Sequence, residues 1–313
     1  MIAVRMWLGV VITGMLMLPG CSKQEEPRKV DLEKRSATGV NEDSGVPHLR
    51  VAVGGMITPK AGFIYYRQFL DRIAEKTGIP VDFEDREGYA EINELIRTGK
   101  VDLAFVCGGP YVDGRRAFGM ELLAAPQAYG GQVYYSYIIV HKNSGLKTFR
   151  DLRGKKFAFT DPLSNSGKLV PTYMLARMGE TPDSFFREYL YTKTHDNSIK
   201  AVAQGIVDGA AVDSLIWEYD NRTSPQFTSA TTVIERSPPY GIPPVVVRKD
   251  LDPQLKDLLR QIFLNAHQDE NGRAILKGMM IDKFLPIEDS AYNSIREMQA
   301  WLAAQKDRKG TGR

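Results

Sequence analysis

The sequence has few of the residues from which catalytic and metal sites are usually built. Its 313 residues include two cysteines and four histidines, and the histidines lie far apart, without the short spacings typical of zinc ligands. Neither a phosphate-binding P-loop nor a dinucleotide fingerprint occurs, and no Ser/His/Asp or Cys/His arrangement is recognisable. These absences argue against an enzyme and against a bound cofactor or metal ion.

Charge of one sign is also scarce. Lysine and arginine number 41 against 38 aspartate and glutamate residues, which gives a formal net charge of +3. No basic tract of the kind that binds nucleic acid is present. The basic residues within 305–313 form only a short end, which we expect to be a disordered tail. We therefore expect no nucleic-acid partner.

Long apolar runs are absent except at the N-terminus. Arg5 precedes an apolar run over 6–18, which is too short for a membrane-spanning helix of roughly 20 residues. A basic start, an apolar core and small residues before a cleavage point are typical of a secretory signal. The run ends in Leu-Pro-Gly-Cys at Cys21. This ending resembles a bacterial lipobox, in which the cysteine after the cleavage point is lipidated.

The N-terminal pattern therefore predicts an exported protein held at a membrane by lipid. We predict a signal peptide over 1–20, a lipid on Cys21 and a flexible tether over 21–47, which is rich in charged and small polar residues. An uncleaved transmembrane anchor is the alternative. Since lipidation occupies Cys21, Cys107 has no partner for an intramolecular disulfide. The folded part is expected in the cell envelope, facing the periplasm or the cell exterior.

Strand and helix patterns alternate in the rest of the chain, which predicts an α/β fold with largely parallel sheets. The same unit of strand, turn and helix recurs, which favours two similar lobes. Strands around 137–140 and 245–247 are candidates for the crossings between lobes, and one continuous sheet is the alternative. The predicted strands are 49–53, 81–84, 101–106, 133–141, 157–159, 209–212 and 245–247, and the predicted helices are 62–76, 89–98, 168–178, 198–204 and 253–267.

The strongest local signal for a binding site is a polar loop directly before a predicted helix. It contains Ser164, Asn165, Ser166 and Gly167. The free N–H groups and the dipole of a helix N-terminus favour an anion, and the two hydroxyls and the amide add donors. A tetrahedral anion fits this pattern. An ordinary helix cap with a polar loop is the alternative.

Three further segments offer candidate ligand-binding residues. His195 can donate to an anion, or it is a surface histidine in a polar loop. Asp213 follows a buried strand, where ligands collect in α/β sheets, and it suits an anion only if that ligand carries a proton or an ammonium group. Gly108, with Gly109 beside it, permits a close backbone approach, and Tyr111 supplies a hydroxyl, unless this segment is a tight turn with a core tyrosine.

Four segments occur in an order that resembles a known family. They are 161–171 (Asp-Pro-Leu-Ser-Asn-Ser-Gly-Lys-Leu-Val-Pro), 194–213 with its Thr-His-Asp start, the strand 101–106 and the returning segment 237–249. Together they resemble the substrate-binding proteins of phosphonate, phosphite and phosphate ABC transporters, the PhnD-like family. The first segment is similar to the family's Asp-Pro-x-Ser-x-Ser-Gly-x-x-x-Pro anion loop.

The resemblance implies roles for individual residues. Ser164, Asn165 and Ser166 would surround the anionic head group, His195 would donate to it, and Asp213 would accept from a protonated oxygen. The chain departs from the family pattern where Cys107 and two glycines follow the strand 101–106, since an aromatic residue and glycine are common there. Thr194 and Asp196 replace the family's glycine and glutamate. These departures leave the organic substituent on the ligand open.

The resemblance also implies a fold and a function. We expect a type II periplasmic binding protein with a hinge of two crossing strands, its first lobe over 48–139 and 246–304 and its second over 140–245. Such a protein, expected as a monomer, captures a phosphorus oxyanion (phosphonate, phosphite or phosphate) for the permease of an ABC transporter. A sensory or accessory lipoprotein that signals to a membrane partner is the alternative, and an anchored enzyme is the weakest.

Overall fold

The computed structural model describes residues 47–54, 62–86 and 88–310, with only the backbone described at 85 and at 306–310. The predicted signal peptide, the predicted lipid-carrying Cys21 and nearly all of the predicted tether lie outside the described residues. The described part from Pro47 onward forms one compact unit.

Strands and helices alternate along this unit, as the sequence predicts. The strands are β1 (Leu49–Val53), β2 (Val81–Asp85), β3 (Leu103–Phe105), β4 (Glu121–Gln127), β5 (Val133–Tyr134), β6 (Ser136–His141), β7 (Lys156–Phe159), β8 (Glu188–Tyr191), β9 (Gly209–Asp213), β10 (Thr231–Arg236), β11 (Tyr240–Gly241), β12 (Val245–Val247) and β13 (Lys283–Leu285). The helices are α1 (Phe63–Thr77), α2 (Tyr89–Arg97), α3 (Gly108–Phe118), α4 (Val170–Arg177), α5 (Pro182–Phe185), α6 (His195–Ala203), α7 (Ser214–Thr223), α8 (Pro253–Leu264), α9 (Glu270–Gly278) and α10 (Asn293–Gly310).

Two mixed sheets organise the fold. The first has the strand order β13-β4-β12-β3-β1-β2, and the second has the order β10-β6-β9-β7-β8. Each contains a parallel core of three strands, β2-β1-β3 and β9-β7-β8. The remaining strands pair antiparallel. The α/β class is therefore confirmed, whereas the expectation of largely parallel sheets is wrong.

The chain passes between the two sheets twice, and a short ribbon joins the two passages. Strands β5 and β11 pair antiparallel with each other and form a separate two-stranded sheet. The predicted crossing strands 137–140 and 245–247 instead lie within β6 and β12, inside the two large sheets. The lobe boundaries stay a prediction.

Successive side chains of a strand point to opposite faces of its sheet, and in both large sheets the two faces are covered by different apolar clusters. In β1, Val51 and Val53 pack into one apolar cluster and Ala52 into another. In β6, Ile138 and Ile139 likewise enter different clusters. Sheets covered on both faces carry their binding sites at the strand ends, since the faces are occupied by helices.

Three predicted elements differ in the structure. The residues after Cys107 form α3 rather than a tight turn, because a turn pattern of two glycines and a proline also suits a first helical turn. The long strand predicted over 133–141 is divided into β5 and β6. Helix α10 continues to Gly310, so residues 305–310 of the predicted disordered tail are helical, and the rest of that tail lies outside the described residues.

A partly buried cluster of one aspartate and two arginines joins the central strands of the first sheet at the end opposite to the strand ends discussed below. Asp102 is 4% exposed. Its carboxylate accepts hydrogen bonds from Arg50 Nη2 at 2.9 Å and Arg248 Nε at 2.8 Å. Burial alone would raise the pKa of Asp102, but the bonds from Arg50 and Arg248 hold it below its ordinary value. The cluster thus joins β1, β3 and the end of β12.

We expect Asp102→Asn to lower the free energy of unfolding by about 2 kcal/mol, because the variant loses charge-assisted hydrogen bonds from two partly exposed arginines. Since the pKa of Asp102 is lowered in the folded state, the wild type loses this stabilisation only as pH falls below about 4. Urea unfolding at pH 7 and at pH 3.5 tests this. An equal difference between the proteins at both pH values would contradict it.

Candidate functional site

The predicted site residues lie where parallel strands end. Strand β3 leads to Cys107, β7 leads to Thr160 and the polar loop, and β9 ends at Asp213. Strands β6 and β9 pair so that Ser136 faces Asp213. Ser136 Oγ donates to the carbonyl oxygen of Ser166 at 2.7 Å. The ends of two strands thus hold the polar loop against Asp213, which is the usual position of a ligand site in such sheets.

The polar loop forms a π-helical turn, Asn165–Leu169, directly before α4. Ser164 caps this turn, because its Oγ accepts from the backbone N–H of Gly167 at 2.9 Å. Gly167 packs tightly against the neighbouring strand end: a Cβ atom there would lie 2.4 Å from Thr160 Oγ1. Glycine is needed at this position for the close approach, and Ser164 acts on the loop through its cap.

Several helices begin at this site. Cys107 lies at the N-cap position of α3 without a side-chain cap bond, His195 is the first residue of α6, and Asp213 caps α7 with its side chain. Tyr89 is the first residue of α2, and the π-helical turn begins at Asn165. Helix N-termini carry partial positive charge and N–H groups without helical partners. Their convergence makes the site suitable for an anion.

His195 is buried, and its ring is oriented by the backbone. The N–H of Asp213 donates to His195 Nδ1 at 3.0 Å, and Thr160 Oγ1 lies 3.1 Å from the same nitrogen. Burial lowers the pKa of the His195 imidazole to about 3, so the ring is neutral. Since Nδ1 accepts, the proton lies on Nε2. His195 Nε2 has no hydrogen-bond partner and is available as a donor.

Asp213 is also buried and is only half satisfied. Its Oδ1 accepts from the N–H of Leu215 at 2.7 Å, whereas Oδ2 has no hydrogen-bond partner. Burial raises the pKa of the Asp213 carboxyl well above its ordinary value, despite the bonds from the N-terminus of α7. A carboxyl in this condition readily holds or shares a proton.

Asn165 and Ser166 complete the set of unsatisfied groups. Both are fully buried, and Asn165 Oδ1 and Ser166 Oγ have no hydrogen-bond partner. Buried polar side chains are normally paired. The structure therefore brings together four polar groups, from Asn165, Ser166, His195 and Asp213, that need partners.

Helices α2 and α3 and the connecting ribbon close the site from the other side. Asn165 Nδ2 donates to Tyr134 Oη at 2.9 Å. The N–H of Tyr89 donates to Asp161 Oδ2 at 3.3 Å. A Cβ atom at Gly109 would lie 2.3 Å from the carbonyl oxygen of Leu163. The loop is thus held from both sides.

The sequence interpretation did not single out Thr160, Tyr89 or Tyr134. Thr160 immediately precedes the predicted loop and could have been found from that position. Nothing in the pattern around Tyr89 or Tyr134 marks them, because their contacts come from distant parts of the chain. Gly109, rather than Gly108, makes the close approach to the loop.

Two predicted ligand-binding residues lie in other surroundings. Tyr111 Oη donates to Asp289 at 2.5 Å, and the ring packs on Tyr292 with 4.7 Å between ring centres. A Cβ atom at Gly108 would lie 2.5 Å from Ile295 Cδ1 in the apolar core. The hydroxyl of Tyr111 is therefore bonded to Asp289 and not to the four unsatisfied groups. A ligand contact by Tyr111 or by Gly108 stays a prediction.

Two features are absent from the described residues. Among them, no group of three or more histidine, cysteine, aspartate or glutamate side chains could hold a metal ion. Within the same part of the chain, no helix is long and apolar enough to cross a membrane.

Two sheets joined by a short ribbon, with helix N-termini and unsatisfied polar groups at the strand ends, define a solute-binding protein of the type II periplasmic class. A solved binding protein component of a phosphonate ABC transporter from Pseudomonas aeruginosa has this fold. It is 25% identical, with a TM-score of 0.77, over 82% of this chain and 86% of the other. A Prochlorococcus marinus protein solved with methylphosphonate shares the fold at 22% identity and a TM-score of 0.73, over 82% of this chain and 98% of its own.

Sequence comparison gives the family. The family of ABC transporter, phosphonate, periplasmic substrate-binding proteins matches residues 59–292. The phosphonates-binding periplasmic protein of Escherichia coli K12 is 29% identical over 251 residues, 77% of this chain and 73% of the relative. The chain belongs to the periplasmic substrate-binding proteins of phosphonate ABC transporters, a family of binding proteins rather than enzymes.

Proposed function

We propose that this protein captures a phosphorus oxyanion (phosphonate, phosphite or phosphate) at the strand-end site and delivers it to the permease of an ABC transporter. The observation that carries the proposal is the group of four buried, unpartnered atoms: Asn165 Oδ1, Ser166 Oγ, His195 Nε2 and Asp213 Oδ2. A ligand with several acceptor oxygens and one proton would accept from Ser166 Oγ and His195 Nε2 and share its proton with Asp213 Oδ2, whereas Asn165 Oδ1 accepts only and needs a separate donor. The lobes predicted from sequence would close around the ligand.

Each proposed contact follows from the protonation state of the side chain and from its unpaired donor or acceptor atom. The Ser166 hydroxyl and the Nε2–H of His195 donate to ligand oxygens. The Asp213 carboxyl shares one proton with the ligand, since burial raises its pKa. The helix N-termini offset the ligand's negative charge. The neutral His195 therefore contributes a hydrogen bond rather than a full positive charge.

Titration of the purified protein with phosphate, phosphite, methylphosphonate and sulfate tests the proposal. A ligand present at 100 times its dissociation constant adds about 2.7 kcal/mol to the free energy of unfolding. Thermal shifts should identify the ligands, and isothermal titration should measure their affinities. Absence of binding by all three phosphorus anions would contradict the proposed function.

Ser166→Ala should weaken binding by about 1–3 kcal/mol, because a buried ligand oxygen loses its donor. Ser164→Ala should also weaken binding within this range, but through the loop, since Ser164 Oγ holds the N–H of Gly167. The cap variant should therefore also lower the melting temperature of the free protein. Isothermal titration and thermal melting separate the two effects. Unchanged affinity in both variants would count against this loop as the site.

We also propose that the protein is attached to a membrane through lipid on Cys21, on the strength of the Leu-Pro-Gly-Cys ending of the apolar run. In cells, wild-type protein should sediment with membranes and incorporate labelled palmitate. Cys21→Ser should abolish palmitate labelling and reduce the fraction of the protein that sediments with membranes. The control Cys107→Ser should keep the palmitate label. Equal palmitate labelling of the wild type and Cys21→Ser would contradict the anchor.

A further inference from the structure

A cavity of about 390 Å³ lies beside the segment 133–137, in which the chain passes from the ribbon strand β5 into β6. Successive side chains of an extended segment point to opposite sides. Tyr134 and Ser136 bond to Asn165 and Ser166 of the anion site. The alternate side chains of the segment line this cavity, the ribbon cavity: Val133, Tyr135 and Tyr137. The ribbon cavity and the anion site thus lie back to back on one segment.

Two arginines, each packed over a tyrosine ring, line the ribbon cavity. Arg236 Cζ lies 3.5 Å from the ring centre of Tyr135. Arg222 Cζ lies 4.5 Å from the ring centre of Tyr129, which also lines the cavity. A guanidinium packed over a ring keeps the N–H donors in its own plane available for an anion. The cavity therefore combines anion-binding donors with aromatic surface.

The donors of these two arginines are largely unused by the chain itself. Among the described residues, no carboxylate pairs with Arg236, and Arg222 has only Glu218, at 3.8 Å. Glu218 also accepts from the hydroxyl of Tyr137 at 3.3 Å. The charged side chains that line the cavity are two positive against one negative. This excess of positive charge favours a ligand with a single negative charge.

Tyr129 gives an independent indication of a binding role. Its φ of 52° lies in the left-handed region, which a tyrosine rarely adopts. Residues held in such conformations cluster at ligand sites. Tyr129 and Val133 are also 38% and 41% exposed, which is unusual among the large apolar side chains of the described residues. Exposed apolar surface beside charged groups is typical of a binding site.

We propose that the ribbon cavity is a second binding site, which takes a small organic anion made of a carboxylate joined to an aromatic body. The guanidinium groups of Arg222 and Arg236 bind the carboxylate, and the rings of Tyr135 and Tyr137 contact the aromatic body. Cavities of this size, with aromatic walls and a few polar groups, are typical of small-molecule sites. The site is separate from the anion site and does not depend on what the anion site binds.

Isothermal titration with indole-3-acetate, tryptophol and acetate tests the proposal. Tryptophol keeps the aromatic body without the charge, and acetate keeps the charge without the body. We expect indole-3-acetate to bind at least about tenfold more tightly than either compound. Arg222→Gln and Arg236→Gln should each weaken its binding about tenfold, because each variant loses a charge-assisted donor. Methylphosphonate in excess should not displace it.

Arg153→Gln is the matched control. Arg153 also lies over a ring, at 4.7 Å from the centre of Phe185, but its guanidinium already donates to Glu180 at 2.6 Å. It does not line the ribbon cavity. The control should therefore bind indole-3-acetate as the wild type does. Thermal melting of each variant verifies that it is folded.

Three results would overturn the ribbon cavity as a binding site. They are no binding of indole-3-acetate at millimolar concentration, wild-type affinity in both cavity variants, and displacement of indole-3-acetate by methylphosphonate. Equal affinity for indole-3-acetate and tryptophol would overturn the role of the two arginines. None of these results decides the proposed function, which is measured with phosphorus oxyanions.

Discussion

Gly109→Ala should weaken ligand binding about 5- to 150-fold, because overpacking a tight contact costs about 1–3 kcal/mol. The added Cβ atom would lie 2.3 Å from the carbonyl oxygen of Leu163 and 3.4 Å from the backbone nitrogen of Asn165. Both neighbours are backbone atoms at the start of the polar loop, and they cannot move away by rotation about side-chain bonds. Either the loop moves, which displaces Asn165 and Ser166, or α3 and the loop separate.

The free Gly109→Ala protein should also lose some stability, since α3 and the segment after the loop share the apolar cluster that contains Tyr111, Val112 and Val170, but its distinguishing effect is on affinity. Gly114→Ala is the matched control on the same helix. Its Cβ atom would meet the side-chain ends of Met120 at 2.6 Å and Phe118 at 2.9 Å. We expect that control to lower the melting temperature while leaving affinity nearly unchanged. Wild-type affinity in Gly109→Ala would show that the close approach to Leu163 is not needed for binding.

The wild type should bind phosphorus oxyanions at least about tenfold more tightly than sulfate, and Asp213→Asn should reduce this discrimination. Phosphite, phosphate and phosphonates bring or accept a proton near neutral pH, whereas sulfate has none to share. Sulfate brings no proton, so the only proton at this contact must be on Asp213. If Asp213 is ionised instead, the unmatched buried charge costs several kcal/mol. An amide at this position donates to a bare oxygen without any proton.

The pH dependence of binding affinity is a second test for the proton that Asp213 shares with the ligand. Binding by the wild type should weaken as pH rises through the pKa of Asp213, which burial raises, and Asp213→Asn should flatten this dependence. His195→Ala should weaken binding to every anion without reversing the preference, since the neutral ring contributes a donor only. Competition titrations at pH 6, 7 and 8 measure these effects. Sulfate binding as tight as phosphate binding to the wild type at pH 8 would contradict the role of Asp213.

In the free protein, Asp213 and His195 should change the free energy of unfolding with pH in opposite directions. The raised pKa of Asp213 means that its contribution to stability is present at low pH and is lost as pH rises through its folded pKa. The pKa of His195 is lowered to about 3. The contribution of His195 to stability is therefore fully present above about pH 6.5, and it is lost as pH falls from there toward the folded pKa of about 3.

Much of the candidate site could be predicted from the sequence, because its groups follow strand ends. Asn165 and Ser166 lie a few residues after the buried strand β7, and Asp213 ends the buried strand β9. Hydrophobic periodicity shows where such strands end. His195 follows β8, which is largely exposed and was not predicted, and was found only as a histidine in a polar loop. The mixed direction of the sheets could not be predicted in this way, since an apolar strand has the same pattern in either direction.

The contacts that the connecting ribbon and α2 make with the site could not be predicted from the sequence. The hydrogen bond from Asn165 to Tyr134 joins residues 31 positions apart, and that from Tyr89 to Asp161 joins residues 72 apart. No local pattern records such contacts, because they exist only once two sheets pack. Pattern also left Ser164 and Ser166 equivalent, and only the cap bond to Gly167 separates them.

The sequence by itself determined the α/β class, the polar loop before a helix and the residues available to bind an anion, because secondary structure and strand ends follow from local patterns of apolar and polar residues. Tertiary structure decided which groups lie unpaired together, why Gly109 must be glycine and which side chains share the ribbon cavity. These features depend on distances between distant segments, and those distances are set by the packing of the two sheets.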